Sequence, residues 1–344
     1  MASDQDLDPD INFMSRIKNC NCKYLLESQL STFFKFSQPN CVNIMHVNCR
    51  SLNKNFKSLL NLLHVSSGKL SALALTETWL TPVNQDTFII DGYHFFANSR
   101  KVKIGGGVGI YVSNDYVSRL RCDLSFMNDN IECIFVEIGE LGNRHFIIGC
   151  VYRPPNSDIT QFNSDLTLIL DIINQRAQKL VFLAGDFNLD LIKSDSHAPT
   201  SEFLNILTSH SFLPTISLPT RITSTTATLI DNIFTNSIKL DFDTGVVYSS
   251  ISDHLTLVLH ANFALTRQNC SPIFKRFYSP QLIQTFNESL ARTNWNEILP
   301  QSMSSANPNK PYSMFIEKYI EVFEDHFPIC QSKFSKKNTR DKFG

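Results

Sequence analysis

Seven polar side chains stand at the ends of apolar segments or directly beside them, where a rigid strand can present a side chain to a site. They comprise four carboxylates, two amides and one imidazole: Asn48 after NIMHV, Glu77 after LALT, Asp186 and Asn188 after VFLAG, Asp231 within TLIDNIF, and Asp253 and His254 in SDHLTLV. If these segments are neighbouring strands of one α/β core, the seven groups converge on one edge of that core. Carboxylates gathered in this way repel one another unless a cation lies among them.

Each of these residues also has a purely structural explanation. Asn48 could cap the helix that follows it, Glu77 could pair with a surface lysine, and Asp186 could cap a turn. The set as a whole favours a metal-dependent site over a series of unrelated structural roles.

The chemistry of the donor atoms favours magnesium, for which manganese could substitute. Carboxylate and amide oxygens, without thiolates or several histidines, suit a hard octahedral cation. Such an ion can neutralise a phosphate oxygen while an aspartate positions water and a histidine donates to the developing charge. We therefore expect phosphoester hydrolysis.

Short apolar runs alternate with helical patterns between Val42 and Phe263, which favours an α/β fold. The predicted strands are VNIMHV, LSALAL, HFFANS, VGIYVS, IECIFVEI, HFIIGCVY, KLVFLAG, LIDNIFT, TGVVYS and HLTLVLHANF, and the predicted helices are NFKSLLNLLHV, residues 159–175 and residues 201–210. HFFANS with VGIYVS, and IECIFVEI with HFIIGCVY, read as antiparallel pairs, so a mixed sheet is expected.

The chain divides into four predicted segments. Residues 1–40 form a poorly ordered leader, 41–264 the α/β domain, 265–330 a helical extension or linker, and 331–344 a basic tail. The helical pattern PYSMFIEKYIEVFEDHF carries an apolar stripe from Phe315 to Phe323. This stripe needs a packing surface, which could belong to its own domain or to another one.

Composition limits the function classes. A hydrophobic fraction of 42% with 18% charged residues indicates a globular protein, and a net charge of -1 gives no strong overall field to gather nucleic acid. Nine cysteines without a CxxC pair indicate reduced thiols rather than a zinc site. An acidic N-terminus without an apolar signal region, and no apolar run near about 18 residues, favour a soluble intracellular protein without a membrane span.

The ordered motifs HVNCRSL, LTETWL, GCVYRPP, AGDFNLD, LIDNIFT and SDHLTLV resemble the endonuclease/exonuclease/phosphatase superfamily, and most of all the apurinic-type endonuclease domain of non-LTR (LINE-type) retrotransposons. The resemblance extends from about Asn43 to Phe263. It implies a four-layer α/β sandwich, in which two packed mixed sheets are flanked by helices, here with a C-terminal helical extension.

The resemblance also implies roles for the matching positions. Glu77 would hold the metal, and Asp186 would activate the attacking water. Asn188 would bind the scissile phosphate. His254 would stabilise the transition state, and Asp231 would hold it in its tautomer.

Further positions match the superfamily near the site. Asn48 would stand beside the metal, and Asp253 would orient water or assist the metal. Tyr152 would contact phosphate, whereas simple packing is the alternative for a tyrosine at a strand end. Thr220 and Ser252 would lie near the substrate.

The implied function is a magnesium-dependent endonuclease that nicks DNA and leaves a 3'-hydroxyl, as in retrotransposon target-site cleavage. Its partners would be DNA and a reverse transcriptase domain in a longer parent protein, and activity on chromosomal DNA would require the nucleus. The alternatives are an inactive or domesticated DNA-binding relic, and a phosphatase or ribonuclease of the same superfamily. The loop KIGGG does not match a phosphate-binding loop, and its Arg100, Lys101 and Lys103 could touch DNA phosphates or be solvated.

Overall fold

A computed structural model describes residues 21–34, 41–67, 70–101, 105–139, 144–175, 179–237, 240–263, 265, 274–276, 280–298, 309–328 and 330–331. The strands are β1 Cys22–Leu26, β2 Val42–Asn48, β3 Ala72–Thr76, β4 Tyr93–Asn98, β5 Val108–Ser113, β6 Ser118–Leu120, β7 Glu132–Ile138, β8 Phe146–Tyr152, β9 Leu180–Asp186, β10 Leu213–Pro214, β11 Arg221–Ile222, β12 Ala227–Thr228, β13 Asp231–Thr235, β14 Phe242–Tyr248, β15 Thr256–Ala261, β16 Phe274–Lys275 and β17 Cys330–Gln331. The helices are α1 Leu30–Phe33, α2 Leu52–Val65, α3 Ile159–Asn174, α4 Ala198–Ser209, α5 Pro280–Arg292, α6 Trp295–Ile298 and α7 Asn309–His326, with short 3-10 turns at Glu27–Gln29, Gln85–Thr87 and Leu191–Lys193.

The strands form two large mixed sheets. Sheet 1 has the order β1-β14-β15-β2-β3-β5-β4, with parallel pairing only between β1 and β14 and between β2 and β3. Sheet 2 has the order β10-β13-β9-β8-β7-β6, and only β8 and β9 are parallel. The predicted antiparallel pairs β4/β5 and β7/β8 are confirmed.

A buried core joins the two sheets face to face. Ile44 and Ile110 of sheet 1 belong to the same apolar cluster as Ile148 and Cys150 of sheet 2. The Sγ atom of Cys150 lies 3.2 Å from the carbonyl oxygen of Leu75 in the opposite sheet. Burial of such apolar faces is the main source of stability in a layered fold.

Helices cover the outer faces and complete four layers. Met45 alternates with Ile44 along β2, and it packs in a second cluster with Leu59 and Leu62 of α2. On sheet 2, Phe203 of α4 packs against Phe234 with a ring separation of 5.9 Å. The predicted four-layer fold is confirmed.

The structure corrects the predicted leader. Residues 22–26 form an edge strand that pairs in parallel with β14, and Leu30 to Phe34 pack into the core beneath sheet 1. The run CKYLL is too short and too polar on one face to show periodicity, so only its pairing with a distant strand reveals it. Residues 1–20 lie outside the described residues.

The chain forms two compact units, residues 1–268 and residues 269–344. In the second unit, Phe286 of α5 packs in a T-shaped arrangement on Tyr319 and Phe323 of α7. The apolar stripe of α7 therefore packs partly on α5. The predicted boundaries at 264 and 330 stay a prediction, and residues 332–344 of the basic tail lie outside the described chain. Within the described residues, no helix has the length and apolar character that crossing a membrane requires.

Candidate active site

Four neighbouring strands of sheet 2 place polar side chains in one row. Asp231 begins β13 and pairs with Asp186 at the end of β9. Asp186 pairs in turn with Tyr152 at the end of β8, and Tyr152 pairs with Glu132 at the start of β7. Strand register therefore brings residues that are distant in sequence to the same edge of the sheet.

Sheet 1 contributes the amide of Asn48, the last residue of β2, and the carboxylate of Glu77, which directly follows β3. The Nδ2 of Asn48 donates to Glu77 Oε1 at 3.0 Å and to Asp186 Oδ2 at 2.9 Å. This amide therefore ties a carboxylate of sheet 1 to a carboxylate of sheet 2. The predicted convergence of these three residues is observed.

His254 and Asp231 form a buried pair beside Asp186. The Nδ1 of His254 lies 3.1 and 3.0 Å from the two carboxylate oxygens of Asp231, and 3.8 Å from Asp186 Oδ2. Burial alone would lower the pKa of His254, but Asp231 and then Asp186 outweigh it and raise this pKa to about 9. Burial alone would raise the pKa of Asp231, but His254 holds it below the usual value.

The pKa of Asp186 is shifted in the opposite direction to that of Asp231. Burial raises its pKa to about 8, the neighbouring carboxylates of Asp231 and Glu77 add to the rise, and His254 opposes it. The backbone N–H of Asn188 donates to Asp186 Oδ1 at 3.0 Å, and the Asn188 side chain donates to the carbonyl oxygen of Arg153 at 2.8 Å. Asn188 thus stands beside Asp186 in a fixed left-handed conformation with φ of 49°.

The backbone of the Glu77 segment is held by the glycine-rich loop that precedes β5. Glu77 and Trp79 both adopt left-handed conformations, with φ of 50° and 55°. Thr78 N donates to the carbonyl oxygen of Gly107 at 3.1 Å, and Trp79 N donates to that of Gly106 at 2.8 Å. Trp79 Nε1 also donates to Glu77 Oε2 at 3.3 Å, so both oxygens of this carboxylate are oriented.

Asp253 does not join this acidic centre as a free carboxylate. Its Oδ1 accepts from Arg50 Nη1 at 2.7 Å, and its Oδ2 accepts from Arg221 Nε at 2.8 Å. These hydrogen bonds hold the pKa of Asp253 below its usual range although burial opposes them. The structure gives Asp253 an ion-pairing role, and its predicted assistance to a metal stays a prediction.

Thr220 and Ser252 have structural partners. Thr220 is fully buried and donates to Asp231 Oδ2 at 2.7 Å, so it fixes Asp231, and its predicted substrate contact stays a prediction. Ser252 Oγ donates to the carbonyl oxygen of Asn48 at 2.7 Å and accepts from the backbone N–H of His254 at 3.2 Å. It ties the His254 loop to the end of β2, and its predicted substrate contact stays a prediction.

Tyr152 and Glu77 line an open cavity of about 820 Å³ beside the acidic centre, within the usual size range of ligand sites. Burial raises the pKa of Tyr152 well above its ordinary value, with Glu77 and Asp186 as further causes, so its hydroxyl is kept protonated. Trp79, Arg100 and the Pro154–Asp158 segment also line this cavity. The predicted strand-end tyrosine therefore faces a space in which a substrate can lie.

The acidic centre fits a divalent cation. Asp186, Asp231 and His254 each have a potential ligand atom, and these atoms lie within 4.8 Å of one another, although His254 cannot bind a cation while it is protonated. Glu77 adds a further carboxylate through the shared Asn48 amide. The neighbouring carboxylates of Asp231 and Glu77 help to raise the pKa of Asp186, and a cation among these groups would favour its ionised form.

The sequence did not predict three residues that lie in or beside the site, namely Glu132, Arg50 and Arg221. Glu132 is buried within β7, where its Oε1 accepts from Arg100 Nε at 2.6 Å and anchors the glycine-rich loop. A carboxylate inside the apolar run ECIFVEI is the signal that could have revealed it. Arg50 stands two residues after Asn48, and Arg221 directly follows Thr220, but only the fold shows that both arginines meet at Asp253. Lys101 lines the cavity, and Lys103 lies outside the described residues.

The chain thus combines two packed mixed sheets with carboxylates, amides and an Asp–His pair at one edge, and hydrolases that act on phosphodiester bonds share this fold. The chain belongs to the endonuclease/exonuclease/phosphatase family, whose family model matches residues 45–254. Members of this family typically depend on a divalent metal. The family predicted from the sequence is thereby confirmed.

Solved structures with the same fold include several nucleases. The endonuclease domain of TRAS1, a telomere-specific non-LTR retrotransposon, matches with 14% identity and a TM-score of 0.51 over 64% of this chain and 99% of its own. The AP endonuclease LMAP from Leishmania major matches with 14% identity and a TM-score of 0.51 over 66% of this chain and 89% of its own. The catalytic domain of Xenopus laevis APE2 matches with 16% identity and a TM-score of 0.51 over 67% and 94%. No curated protein sequence matches the chain.

Proposed function

We propose that the protein is a magnesium-dependent endonuclease that nicks DNA and leaves a 3'-hydroxyl. The observation that carries the proposal is the meeting of Glu77, Asn48 and Asp186 with the His254–Asp231 pair at one sheet edge. The fold shared with the TRAS1 endonuclease domain agrees with this proposal.

Each residue of the site has a separate role in the proposed hydrolysis of the phosphodiester. Asp186 in its ionised form takes a proton from water as the water oxygen forms a bond to the scissile phosphorus. The P–O3' bond breaks, and the leaving oxygen gains a proton to become the 3'-hydroxyl. His254, kept charged by Asp231, stabilises the negative charge that develops on the phosphoryl oxygens. We expect the Tyr152 hydroxyl to donate to the same phosphate, together with the second N–H of the Asn188 amide, whose other N–H donates to the carbonyl oxygen of Arg153.

Glu77 and Asp186, with Asn48 beside them, would hold the cation, which when bound supplies positive charge for the phosphate and favours the ionised form of Asp186. Manganese is expected to substitute because it accepts the same oxygen ligands. The chain's own contribution is orientation, since Asn48 and Trp79 fix both oxygens of Glu77.

A comparison of three substrates tests the proposal. Purified protein with magnesium is incubated with supercoiled plasmid, a structured RNA and phosphoinositide vesicles. We expect relaxed plasmid whose nicks a DNA polymerase extends directly, since extension needs a 3'-hydroxyl. Hydrolysis of only the lipid or only the RNA would contradict the proposal, because the substrate would then not be DNA. Binding of the plasmid without any nick would indicate a DNA-binding protein that is not catalytic.

A further inference from the structure

The partly buried carboxylate of Asp253, beside His254, holds two guanidinium groups from separate parts of the chain. Arg50 Nη1 lies 2.7 Å from Asp253 Oδ1, while Arg221 Nε and Nη2 lie 2.8 and 2.6 Å from Oδ2. Arg50 comes from the turn after β2, and Arg221 begins the β11–β12 hairpin. We call this set the Arg50–Asp253–Arg221 bridge.

The bridge is open to solvent and carries a net positive charge. The side chains of Arg50 and Arg221 are 54% and 40% exposed, against 31% for Asp253. A guanidinium has several N–H donors in a fixed fork, and Arg50 uses one of its terminal nitrogens on the carboxylate. Donors therefore remain on the outer side of the bridge for an anion.

Every member of the bridge is tied to a residue of the proposed catalytic centre. Arg50 donates its backbone N–H to Asn48 Oδ1 at 3.2 Å. The backbones of Arg221 and His254 pair as two antiparallel β residues. Asp253 directly precedes His254 in the chain. A nucleic-acid strand carries closely spaced phosphates, so a strand whose scissile phosphate lies at His254 has a neighbouring phosphate beside these arginines.

Ligation of a metal by Asp253 would conflict with this arrangement. Both of its oxygens already accept from guanidinium groups, and a divalent cation there would place like charges against Arg50 and Arg221. The carboxylate instead holds the two side chains side by side, which lowers the cost of ordering them for a phosphate.

We propose that Arg50 and Arg221 bind a backbone phosphate adjacent to the scissile one, and that Asp253 orients them and does not bind metal. This inference rests on the proposed function, because its ligand is a nucleic-acid strand. The site would bind phosphodiester backbone without reading base sequence.

The test uses the full chain and a duplex DNA oligonucleotide in EDTA, so that binding is measured without cleavage. Fluorescence anisotropy gives the dissociation constant over a series of salt concentrations for the parent, Arg50→Gln and Arg221→Gln. Each variant is expected to bind more weakly and to lower the slope of log affinity against log salt by about 1. Arg119→Gln is the matched control, because Arg119 is also exposed and paired to a carboxylate, Glu137, yet stands near the other end of β7.

A magnesium titration of plasmid nicking completes the test. Asp253→Asn is expected to keep the parental magnesium midpoint while raising the KM for DNA. Parental salt slopes in both arginine variants, or a raised magnesium midpoint in Asp253→Asn, would overturn the inference while leaving the endonuclease proposal standing. A parent that neither binds nor nicks DNA would reject the proposed function itself and the inference with it. Circular dichroism verifies that each variant is folded.

Discussion

Asp186 and Asp231 face each other as directly paired residues of the antiparallel strands β9 and β13. Two carboxylates in register at a sheet edge would ordinarily repel one another. The pair is tolerated because His254 neutralises Asp231 and burial keeps Asp186 inclined to hold a proton. The same strand register thus holds two aspartates whose pKa values are shifted in opposite directions.

Asp231→Asn should reduce kcat by about 10²- to 10⁴-fold, because His254 loses the carboxylate that orients and charges it. The measurement is the initial rate of plasmid nicking at saturating magnesium. Thr220→Val is the graded control, since it removes only the hydroxyl that fixes Asp231 and should cost much less. Equal rates for Asp231→Asn and the parent would contradict the role of the pair.

Glu77→Gln should raise the magnesium midpoint of nicking by at least about tenfold, since outer partners of metal ligands alone change affinity by about 10- to 100-fold. Trp79→Phe should raise the midpoint less, because it removes only the Nε1 donor to Glu77 Oε2. An unchanged midpoint in Glu77→Gln would remove this residue from the cation site.

Gly107→Ala should destabilise the protein and weaken activity together. Gly107 has a φ of 84°, and an added Cβ would lie 2.5 Å from Thr78 Oγ1, in the segment that carries Glu77. Gly92→Ala is the matched control, because Gly92 has a φ of 85° with nothing within 4 Å of the added Cβ. Gly92→Ala should lose only the left-handed cost of about 1 to 2 kcal/mol and keep parental kcat.

Thermal denaturation and the nicking rate, measured for both glycine variants, check this prediction. A Gly107→Ala protein with the stability and magnesium midpoint of Gly92→Ala would show that the glycine-rich loop does not position Glu77.

The metal-free protein should lose stability as the pH rises from about 4 to about 9. The folded-state pKa of His254 is raised from 6.5 to about 9 and that of Asp186 from 3.8 to about 8. A group with a raised folded pKa contributes its full stability below its unfolded pKa, and this contribution is lost as pH rises through the folded pKa. The loss therefore runs between about pH 4 and 8 for Asp186 and about pH 6.5 and 9 for His254.

The Tm in EDTA, recorded from about pH 6 to about pH 9.5, tests this dependence. The double variant Asp186→Asn with His254→Gln should give a flatter profile than the parent. Identical profiles would mean that other groups control the alkaline loss.

The sequence predicts the ends of β3 and β9 well because each is an apolar run that stops at a polar residue. The run VFLAG before Asp186 is an example, and the structure ends β9 at this residue. What the sequence cannot provide is register. The pairing of Glu132 with Tyr152, and of Asp253 with Arg50, joins residues far apart in the chain, and no local pattern encodes it.

The same reasoning explains the missed N-terminal strand. β1 is an edge strand in which only Leu25 is buried and the other residues are exposed or partly buried, so its hydrophobic signal is weak. It exists because β14 offers an unpaired edge, which is a property of the assembled sheet.

The most direct test of the central claim compares the parent with Asp186→Ala in magnesium-dependent nicking of supercoiled plasmid. The parent should nick with magnesium and stop in EDTA, whereas Asp186→Ala should lose at least about 100-fold in rate, because its water-activating base is gone. The variant should still bind a duplex oligonucleotide with parental affinity. Nicking by Asp186→Ala at the parental rate would contradict the account.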